Sequence, residues 1–493
     1  MTSGVIISVL VVYLLILLWL GFWGSKESGS VAGYYVAGKQ LPSWVIAFSS
    51  NATGESGWLL LGLTGMGYLV GFHALWVVLG EFLGVLFAWK YVARPFKEYT
   101  DRYDSITVPD YLEARFHDGG HMMRVISAVI ILSMVTAYTA AQLTASGKAF
   151  ESFLGTSYGA GVWIGAAVIL YYTTVGGFKA VAYSDFLQGV LMFGCLAVLP
   201  IVGISALGGW SALIDGLRAQ DPNLLTLMGA NGFSLPGVIS VVGFIAIGFA
   251  FLGAPQLLTR FIAARSQRDI LKGGKIAVGC ILVFDFGAVF SGMAGRVLFP
   301  GLADPETILP QMSTELFPAF LTGVFLVVVL AAIMSTVDSL LILASSAVVR
   351  DVVQQIFNPD VSERRLSLYG KGITVIVGGG AIAAALTEAR AIFWFVLFAW
   401  SGLASAFTPV VLCSLFWKGT TRMGAMWGMV SGFLTAVLWV VLFKERFFDL
   451  YEMIPGFAVG FAVTVGVSLA TRAPEGAAEE MASVHEAVRA ATN

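Results

Sequence analysis

Three polar side chains are spaced so that they share one face of a predicted helix. Ser335, Asp338 and Ser339 stand at positions i, i+3 and i+4 of an otherwise apolar run, and such residues are neighbours on a helix surface. Thr336 lies three residues before Ser339 in the same run. Hydroxyl, carbonyl and carboxylate oxygens are the ligands that hard cations prefer. The spacing predicts a cation site, and hydrogen bonding between neighbouring helices is the alternative.

A second polar cluster interrupts another apolar run. Eight of the ten residues over 49–58 are polar or glycine, and Glu55 is the ionisable one. Its carboxylate could face a wet vestibule, contact a cation or the amine of a substrate, or carry a proton. Asp185, at the start of a later run, is either a helix N-cap or another functional acid. Glu81 and Asp285 also fall within apolar runs, with no partner assigned.

Composition places these polar groups inside a membrane protein. Of the 493 residues, 58% are hydrophobic and 12% are charged, and the mean hydropathy is +0.85. The charged share is about half that of an average soluble domain, which is too small to cover a surface that faces water. Because runs of about 20 apolar residues can cross a bilayer as helices, we expect an all-α integral membrane protein.

The same numbers exclude several other classes of protein. A net charge of −2 without a basic face excludes a nucleic-acid binder that relies on phosphate contacts. The three cysteines lie far apart and the four histidines are scattered, so we expect neither a disulfide framework nor a structural zinc site. The sequence shows no nucleophile–base or metalloenzyme motif, and we expect the chain not to be an enzyme.

Thirteen apolar runs are long enough to span a membrane. The segments between them are short; those at 209–235 and 298–317 could carry surface helices, and the chain after residue 472 is expected to be a frayed helix or disordered. The predicted spans are 5–24, 42–66, 68–92, 124–146, 160–178, 184–208, 236–262, 271–297, 318–349, 368–388, 392–416, 423–443 and 453–471.

The distribution of lysine and arginine predicts the orientation. With thirteen spans, 22 of the 28 basic residues fall on one side of the membrane and six on the other. Arg260 and the four basic residues after it are counted on the first side, and Arg390 on the second. Because cytoplasmic loops carry the excess of positive charge, we expect the N-terminus outside, the C-terminus in the cytoplasm, and the protein in the plasma membrane.

Two of the predicted spans contain sequences that interrupt a helix. The second holds the polar cluster over 49–58, and the seventh contains Pro255, which removes a backbone donor. The two interruptions lie five spans apart, and paired interruptions at matching places in two halves mark the binding site of many transporters. Spans two to six and seven to eleven therefore predict two five-helix repeats of opposite topology.

This organisation divides the chain into five segments. We expect a first transmembrane helix and a cytoplasmic loop, a first five-helix repeat, a second five-helix repeat, two peripheral transmembrane helices and a cytoplasmic tail. Their respective ranges are 1–41, 42–208, 209–416, 417–472 and 473–493.

Several motifs, at matching spacing along nearly the whole chain, resemble the sodium/solute symporter family, and most closely its bacterial sodium/proline symporters. The resemblance implies a LeuT-like core of two inverted five-helix repeats, with unwound second and seventh spans, and sodium as the coupling ion. The motifs are Tyr34-Tyr35-Val36-Ala37-Gly38-Lys39, Ser56-Gly57-Trp58-Leu59-Leu60, Thr107-Val108-Pro109-Asp110-Tyr111, Gly176-Gly177-Phe178, and the run Ser335–Ser339 followed by Ser345-Ser346.

The resemblance also implies which residues bind sodium. The main sodium position would be formed by the carbonyls of Ala52, Glu55 and Ala332 and the hydroxyls of Ser335 and Thr336. Some members of the family have a second sodium position near an acid of span six. In this chain that position would be formed by Asp185, Ser335, Asp338 and Ser339.

The solute would lie beside the sodium ion. Gly54 stands where proline symporters carry an aspartate, and Ile247 and Phe251 stand where tryptophan and tyrosine are expected. Compared with tryptophan and tyrosine, Ile247 and Phe251 keep the walls of the solute site apolar but lack the indole N–H and the phenol O–H. Another small amino acid or a betaine-like solute is therefore an alternative to proline. The implied solute contacts are Ser56, Gly57, Trp58, Tyr138, Phe251 and Pro255.

Together these features predict a sodium-coupled secondary active symporter that imports a small amino acid, foremost L-proline, by alternating access. Its partners would be the small solute and membrane lipid, without nucleic acid or an obligate protein partner. Proton coupling through Glu55 is one alternative, and a passive channel is another. A membrane nutrient sensor is a third, but we expect no output domain after residue 472.

Overall fold

The computed structural model describes residues 2–27, 29–387, 392–472 and 474–491. Within these ranges the backbone consists of helices and short connections, with one isolated β-bridge between Leu41 and Ala264. The prediction of an all-α membrane protein is confirmed. Three parts of the predictions lie outside the described residues. They are Arg390, residue 388 at the end of the span predicted at 368–388, and both ends of the predicted tail.

The described ranges contain α-helices joined by short 3-10 and π segments. The α-helices are α1 (Thr2–Gly24), α2 (Val31–Val36), α3 (Ser43–Gly57), α4 (Thr64–Val70), α5 (Leu75–Phe87), α6 (Ala93–Arg102), α7 (Val108–Phe116), α8 (Met122–Leu154), α9 (Tyr158–Ala206), α10 (Trp210–Gln220), α11 (Leu235–Ala246), α12 (Pro255–Ala263), α13 (Gln267–Leu298), α14 (Ile308–Leu316), α15 (Ala319–Ser346), α16 (Glu363–Ala385), α17 (Ile392–Phe416), α18 (Arg422–Leu438), α19 (Met453–Ala470) and α20 (Ala477–Ala490).

Eleven helical stretches in the described part of the chain are long and apolar enough to cross a membrane. Two of them, Ser43–Arg102 and Tyr158–Ala206, have 60 and 49 residues, whereas one passage needs about 20. Each contains a glycine with positive φ, Gly71 at 57° and Gly177 at 62°, a conformation in which a residue with a Cβ would be strained. The count of thirteen spans stays a prediction, because it requires each of these two long stretches to cross the membrane twice.

The most buried helices form the centre of the bundle. In the stretches that contain α15 and α17, 83% of the most apolar 18-residue segment is buried inside the protein. In the stretch that contains α18 the corresponding share is 22%. α15 packs against α1, α3, α8 and α9, and every residue over 325–347 is buried. A helix enclosed on all sides must satisfy its polar groups through its neighbours. Several polar residues of α15, among them Ser335, Thr336 and Asp338, accordingly bond to groups on other helices.

The interruption predicted in the second span is confirmed, but it is shorter than the polar cluster. α3 is regular through Glu55, and the break is at Ser56, whose φ is 55° and ψ −173°. A π segment, Trp58–Leu63, follows. The helix does not unwind over the whole of 49–58, because polar side chains of this cluster find partners on adjacent helices.

The interruption predicted in the seventh span is also confirmed. α11 continues into a 3-10 segment, Ile247–Leu252, and Gly253 and Ala254 then leave the helical conformation. α12 begins at Pro255, where the missing N–H costs nothing because the first turn has no intrahelical partner for it.

The segments between the spans carry short helices, as expected. α10 lies within 209–235 and α14 within 298–317. Of the two alternatives expected for the tail, a frayed helix or disorder, the described residues form a helix: α20 packs against α6. Arg102 binds both the hydroxyl and the carbonyl of Ser483, and these contacts hold the tail helix in place.

Candidate ion and solute site

Four of the five residues predicted for the main sodium position come together between α3 and α15. The Ser335 hydroxyl lies 3.0 Å from the carbonyl oxygens of both Ala52 and Ala332. The Thr336 hydroxyl lies 3.3 Å from the Ala332 carbonyl and 3.1 Å from the Thr53 carbonyl. All these residues are fully buried. The arrangement gathers neutral hard oxygens, the ligand type suited to a hard monovalent cation.

Glu55, the fifth predicted residue, makes no described contact with these oxygens. Its carbonyl accepts the backbone N–H of Trp58 at the end of α3. Thr53, whose carbonyl takes part in the cluster, was not predicted. The Thr53 hydroxyl also lies 3.2 Å from the Ser335 carbonyl and 3.1 Å from the Ser339 hydroxyl. Thr53 therefore joins the two helices through both its backbone and its side chain.

Asp185 lies inside α9 and is not an N-cap. Its carboxylate accepts hydrogen bonds from the Ser49 hydroxyl at 2.6 Å and from Arg260 at 3.0 Å. The guanidinium of Arg260 also donates to Ser49 at 3.1 Å, to Thr53 at 2.7 Å and to the Ser339 hydroxyl. Arg260 was expected among the cytoplasmic charges, and that expectation was wrong: its side chain is 1% exposed.

The other acid of the predicted second sodium position has a different partner. Asp338 accepts a hydrogen bond of 2.7 Å from the Tyr172 hydroxyl, on α9. Ser339 donates to the Ser335 carbonyl at 2.8 Å and lies 3.2 Å from Asp338 Oδ1. The residues implied for this position therefore lie close together, and the cation among them is the guanidinium of Arg260.

The break in α3 is supported by a glutamine of α8. The Gln142 side chain accepts the N–H of Gly57 at 3.0 Å and donates to the Ser56 hydroxyl at 3.3 Å. The same hydroxyl accepts the N–H of Trp58 at 3.1 Å. Gln142 thus pairs with backbone and side-chain groups that the break would otherwise leave unsatisfied.

An aromatic cavity adjoins this break. Its volume is about 10 Å³, roughly the room that one water molecule needs. Trp58 and Tyr138, both predicted to contact the solute, line it together with Trp400. Phe251 packs edge-on against Trp400 with ring centroids 5.4 Å apart. The other lining residues are Gly54, Glu81, Ile247, Val396 and Leu397.

Four predicted solute contacts do not line this cavity: Ser56, Gly57, Phe251 and Pro255. The last of them, Pro255, stands at the break in the seventh span. It begins α12, and its carbonyl accepts the Thr259 hydroxyl at 2.9 Å. Trp400, which was not predicted, donates its indole N–H to the Ile247 carbonyl at 3.1 Å. The 3-10 segment of the seventh span is thus fixed to α17 beside the cavity.

Gly54 and Phe251 fit one another. A Cβ on Gly54 would lie 2.8 Å from the Phe251 ring and 3.7 Å from Leu257. Such a distance is too short for a real contact, so a side chain at Gly54 requires the ring to move. The absence of a side chain at Gly54 and the position of the Phe251 ring therefore depend on one another.

A larger cavity of about 350 Å³ lies next to the aromatic cavity. Ile247 and Leu397 line both cavities, so they form the partition between them. The larger cavity is also lined by residues of the segments over 221–231 and 448–451, which were predicted to lie outside. It lies beside the aromatic cavity and is separated from it by these two side chains.

Some of these residues could have been found from the sequence. Arg260 stands only a few residues after Pro255 within an apolar run, and an arginine inside a span needs a partner. Thr53 is part of the polar cluster already recognised in span two. Gln142 and Trp400 gave no comparable signal, because a single polar or aromatic residue in a span is common.

Comparison with known proteins identifies the family. A sequence model of the sodium:solute symporter family matches residues 34–432. The chain belongs to this family. Members of a symporter family are transporters, so the chain is not an enzyme, and sodium is its coupling ion.

Relatives of this symporter include proteins named for proline transport. The chain is 36% identical over 463 residues to the "High-affinity proline transporter PutP" of Bacillus subtilis, across 93% of this chain and 96% of the relative. It is 35% identical over 477 residues to the "Sodium/proline symporter" of Staphylococcus aureus, across 94% of this chain and 92% of the relative.

Solved symporter structures share the fold. A Na+-coupled sialic acid symporter in an outward-open state superposes with a TM-score of 0.81 at 18% identity, covering 96% of this chain and 99% of the other. Mhp1, a nucleobase-cation-symport-1 family transporter, gives a TM-score of 0.54 at 12% identity, covering 92% and 98%. These similarities show that the symporter has the LeuT-like architecture of inverted repeats.

Proposed function

We propose that this symporter couples the inward movement of sodium to the uptake of L-proline. The observation that carries the proposal is the set of buried neutral oxygens between α3 and α15, formed by Ala52, Thr53, Ala332, Ser335 and Thr336 at 3.0–3.3 Å. The relatives named for proline transport, which align over most of the chain, support proline as the solute.

The site explains how sodium and solute are coupled. A sodium ion bound by oxygens of two helices holds α3 against α15, and the break at Ser56 lies only three residues after Thr53. Sodium binding therefore orders the break and completes the solute cavity. Coupling arises because the loaded and empty carriers differ in the conformation they favour.

The driving force is sufficient for concentrative uptake. A membrane potential of about 100 mV contributes roughly 2.3 kcal/mol per charge, and a tenfold sodium gradient contributes about 1.4 kcal/mol. Together they sustain a solute ratio of several hundredfold for one sodium per solute.

The side chains around the aromatic cavity suit a small solute with an apolar ring, but the cavity must widen to admit one, because it now has room for about one water molecule. Trp58, Tyr138 and Trp400 provide flat apolar walls, against which the methylene groups of proline can pack. Ser56 and Gly57 lie at the break of α3, where a solute can take over the backbone N–H of Gly57 that Gln142 now accepts. Phe251 supports the wall through Trp400, while Pro255 shapes the seventh-span break.

Arg260 takes the place of the second sodium ion in this proposal. Its guanidinium lies among Asp185, Thr53 and Ser339, so these groups already have a cation. Asp338 pairs with Tyr172. We therefore assign one sodium to the oxygens around Ser335 and none to the group around Asp185.

The orientation follows from the charge distribution. We place the N-terminus outside and the C-terminus, including α20, in the cytoplasm of the cell, with the protein in the plasma membrane. The larger cavity then opens outwards, and the two five-helix repeats occupy 42–208 and 209–416.

The proposal is tested by uptake of radiolabelled L-proline into proteoliposomes that contain the full chain. An inward sodium gradient is expected to stimulate uptake, and replacement of sodium by choline is expected to abolish the stimulation. In a panel of unlabelled amino acids and betaine, proline is expected to compete best. Uptake without any sodium dependence, or a stronger competitor than proline, contradicts the proposal in its coupling or in its solute, respectively.

A further inference from the structure

Three carboxylic acids from three helices meet inside the bundle. Glu55 on α3, Glu81 on α5 and Asp285 on α13 each offer a carboxylate oxygen, and these oxygens lie within 4.8 Å of one another. The exposed fractions of the three residues are 0%, 2% and 0%. None of the ion pairs in the described part of the chain involves them. We call this group the carboxyl cluster.

The carboxyl cluster lacks the hydrogen bonds that usually accompany burial. Both carboxylate oxygens of Glu55 and both of Asp285 are buried without a hydrogen-bond partner, and so is Oε2 of Glu81. Leaving a charged group buried and unpaired is strongly unfavourable. Unpaired oxygens that face one another from three helices are therefore stabilised by protons on some of the acids and by a cation between them.

Close helix packing holds the carboxyl cluster together. A Cβ on Gly248 would lie 1.8 Å from the Gly80 carbonyl oxygen, and a Cβ on Gly84 would lie 2.1 Å from the Gly248 carbonyl oxygen. α5 therefore packs backbone against backbone on the 3-10 segment of the seventh span, as small residues allow in membranes. This contact fixes Glu81, next to Gly80, beside the break where the solute site is proposed.

The carboxyl cluster also adjoins the solute cavity. Glu81 lines the aromatic cavity together with Trp58 and Tyr138. An ion held by the cluster can therefore reach the cavity and leave with the solute. The cluster belongs to α3, α5 and α13, whereas the oxygens around Ser335 join α3 to α15, so the two groups are separate.

We propose that Glu55, Glu81 and Asp285 bind a second sodium ion. This inference rests on the sodium coupling proposed above and adds one coupling ion to it. Carboxylate oxygens are hard ligands, and oxygens within 4.8 Å of one another can enclose a calcium-sized ion at distances of roughly 2.3–2.6 Å. Magnesium fits less well, because it demands near-ideal octahedral geometry at distances of about 2.0–2.1 Å.

The direct test is equilibrium binding of ²²Na⁺ to the purified full chain, without solute and with choline as the replacing cation. The wild-type chain is expected to bind two sodium ions. The double variant Glu81→Gln/Asp285→Asn is expected to bind one, and so is Ser335→Ala/Thr336→Ala. Glu55 is left intact because it lies next to the break in α3.

A matched control distinguishes the carboxyl cluster from buried acids in general. Glu452 is also fully buried, but it pairs with Lys444 at 2.8 Å and with Ser401 at 3.3 Å. Glu452→Gln is expected to leave two sodium ions bound. In choline, Glu81→Gln/Asp285→Asn is expected to unfold at a higher temperature than the wild type, because the variant lacks two mutually repelling acids. A stable double variant that still binds two sodium ions overturns the proposal.

A second measurement uses only the wild-type chain. The ratio of ²²Na⁺ to solute moved by one proteoliposome preparation is expected to be two, and a ratio of one overturns the proposal. Displacement of ²²Na⁺ from the cluster by micromolar calcium chloride, or proton uptake in place of sodium, also overturns it. If Glu81→Gln/Asp285→Asn weakens only solute binding, the cluster binds the solute's ammonium instead and the proposal fails.

Sodium binding and proline uptake, measured together, distinguish a failure of the carboxyl cluster as a sodium site from a failure of the proposed function. Two bound sodium ions together with an absence of proline uptake would leave the carboxyl cluster in place and remove proline as the solute. One bound sodium ion, lost in Ser335→Ala/Thr336→Ala, together with sodium-driven proline uptake would remove the cluster and keep the proposed function.

Discussion

The guanidinium of Arg260 lies 3.0 Å from the carboxylate of Asp185, and the two side chains are 1% and 0% exposed. They come from α12 and α9, so their pairing ties the seventh span to the helix that follows the Gly177 break. The same guanidinium contacts Ser49 and Thr53 of α3. A buried cation supplied by the protein thus connects the ion site to the seventh span.

Removing Arg260 alone is expected to be costly. Arg260→Met leaves the Asp185 carboxylate buried without its cation, and breaking such a pair costs about 3–5 kcal/mol. The double variant Arg260→Met/Asp185→Leu is expected to recover most of this loss, because neither charge remains. Thermal unfolding in detergent measures both. As a control, Arg218→Met affects only an exposed pair with Asp215 and is expected to change little. Equal stability of the single and double Arg260 variants would contradict the pairing.

The hydroxyls on α15 are expected to determine sodium affinity. Ser335→Ala and Thr336→Ala each remove one neutral oxygen from the sodium position, and hydrogen-bonding or ligand groups to a charge contribute about 1.5–3 kcal/mol. Each variant should raise the sodium concentration for half-maximal proline uptake by about tenfold or more. Ser346→Ala is the matched control, because its hydroxyl is on the same helix but bonds only the Leu343 carbonyl. Unchanged sodium dependence in both variants would remove these residues from the site.

The fit between Gly54 and Phe251 gives a test of spatial coupling. Gly54→Ala places a methyl group against the Phe251 ring, and overpacking of this kind typically costs about 1–3 kcal/mol. We expect a lower unfolding temperature and weaker uptake, and partial recovery of both in Gly54→Ala/Phe251→Leu. Gly279→Ala is the control, since a Cβ there meets open space. Losses that simply add in the double variant would show that the two positions are independent.

The tail helix is expected to depend on Tyr103 as well as on Arg102. The Tyr103 hydroxyl donates to the Glu480 carboxylate, and burial, followed by the nearby Glu480, raises the pKa of Tyr103 above its ordinary value. Because the pKa of Tyr103 is raised in the folded chain, the stabilisation of α20 by this contact is fully present below about pH 10. It is lost only as the pH rises further.

Tyr103→Phe is expected to loosen α20 at neutral pH while the Arg102 contacts with Ser483 remain, so that trypsin cleaves faster after Arg472. Tyr369→Phe changes a tyrosine that is 44% exposed and is expected to leave the cleavage rate as it is. A Tyr103→Phe variant that is cleaved no faster than the wild type at pH 7 would show that other contacts hold the tail helix.

The fold could be predicted from the sequence because its strongest signals are local. Apolar runs of membrane length and the interruptions at 49–58 and Pro255 indicate the helices and the site. What could not be predicted is which polar groups meet. Glu55 belongs to the cluster over 49–58, but the break begins only at Ser56, so the Glu55 side chain joins Glu81 and Asp285 while Ala52 and Thr53 contact α15.

The same reasoning explains Arg260. Arg260 stands at the end of the predicted span 236–262, and the sequence does not fix on which side of the membrane boundary such a residue lies. The count of basic residues therefore assigned Arg260 to a cytoplasmic loop. Only the packing of α12 against α3 shows that its side chain points into the bundle. Contacts between residues far apart in the chain determine such details, and neither spacing nor composition encodes them.

The central claim is that this chain uses a sodium gradient to concentrate proline. The most direct test starts from proteoliposomes with equal proline inside and outside, a trace of radiolabelled proline outside, and an inward sodium gradient. We predict that the labelled proline accumulates inside well above its equilibrium level and falls back when the sodium gradient is dissipated. Labelled proline that rises only to the equilibrium level, with or without the gradient, would contradict coupled transport and indicate a passive pathway.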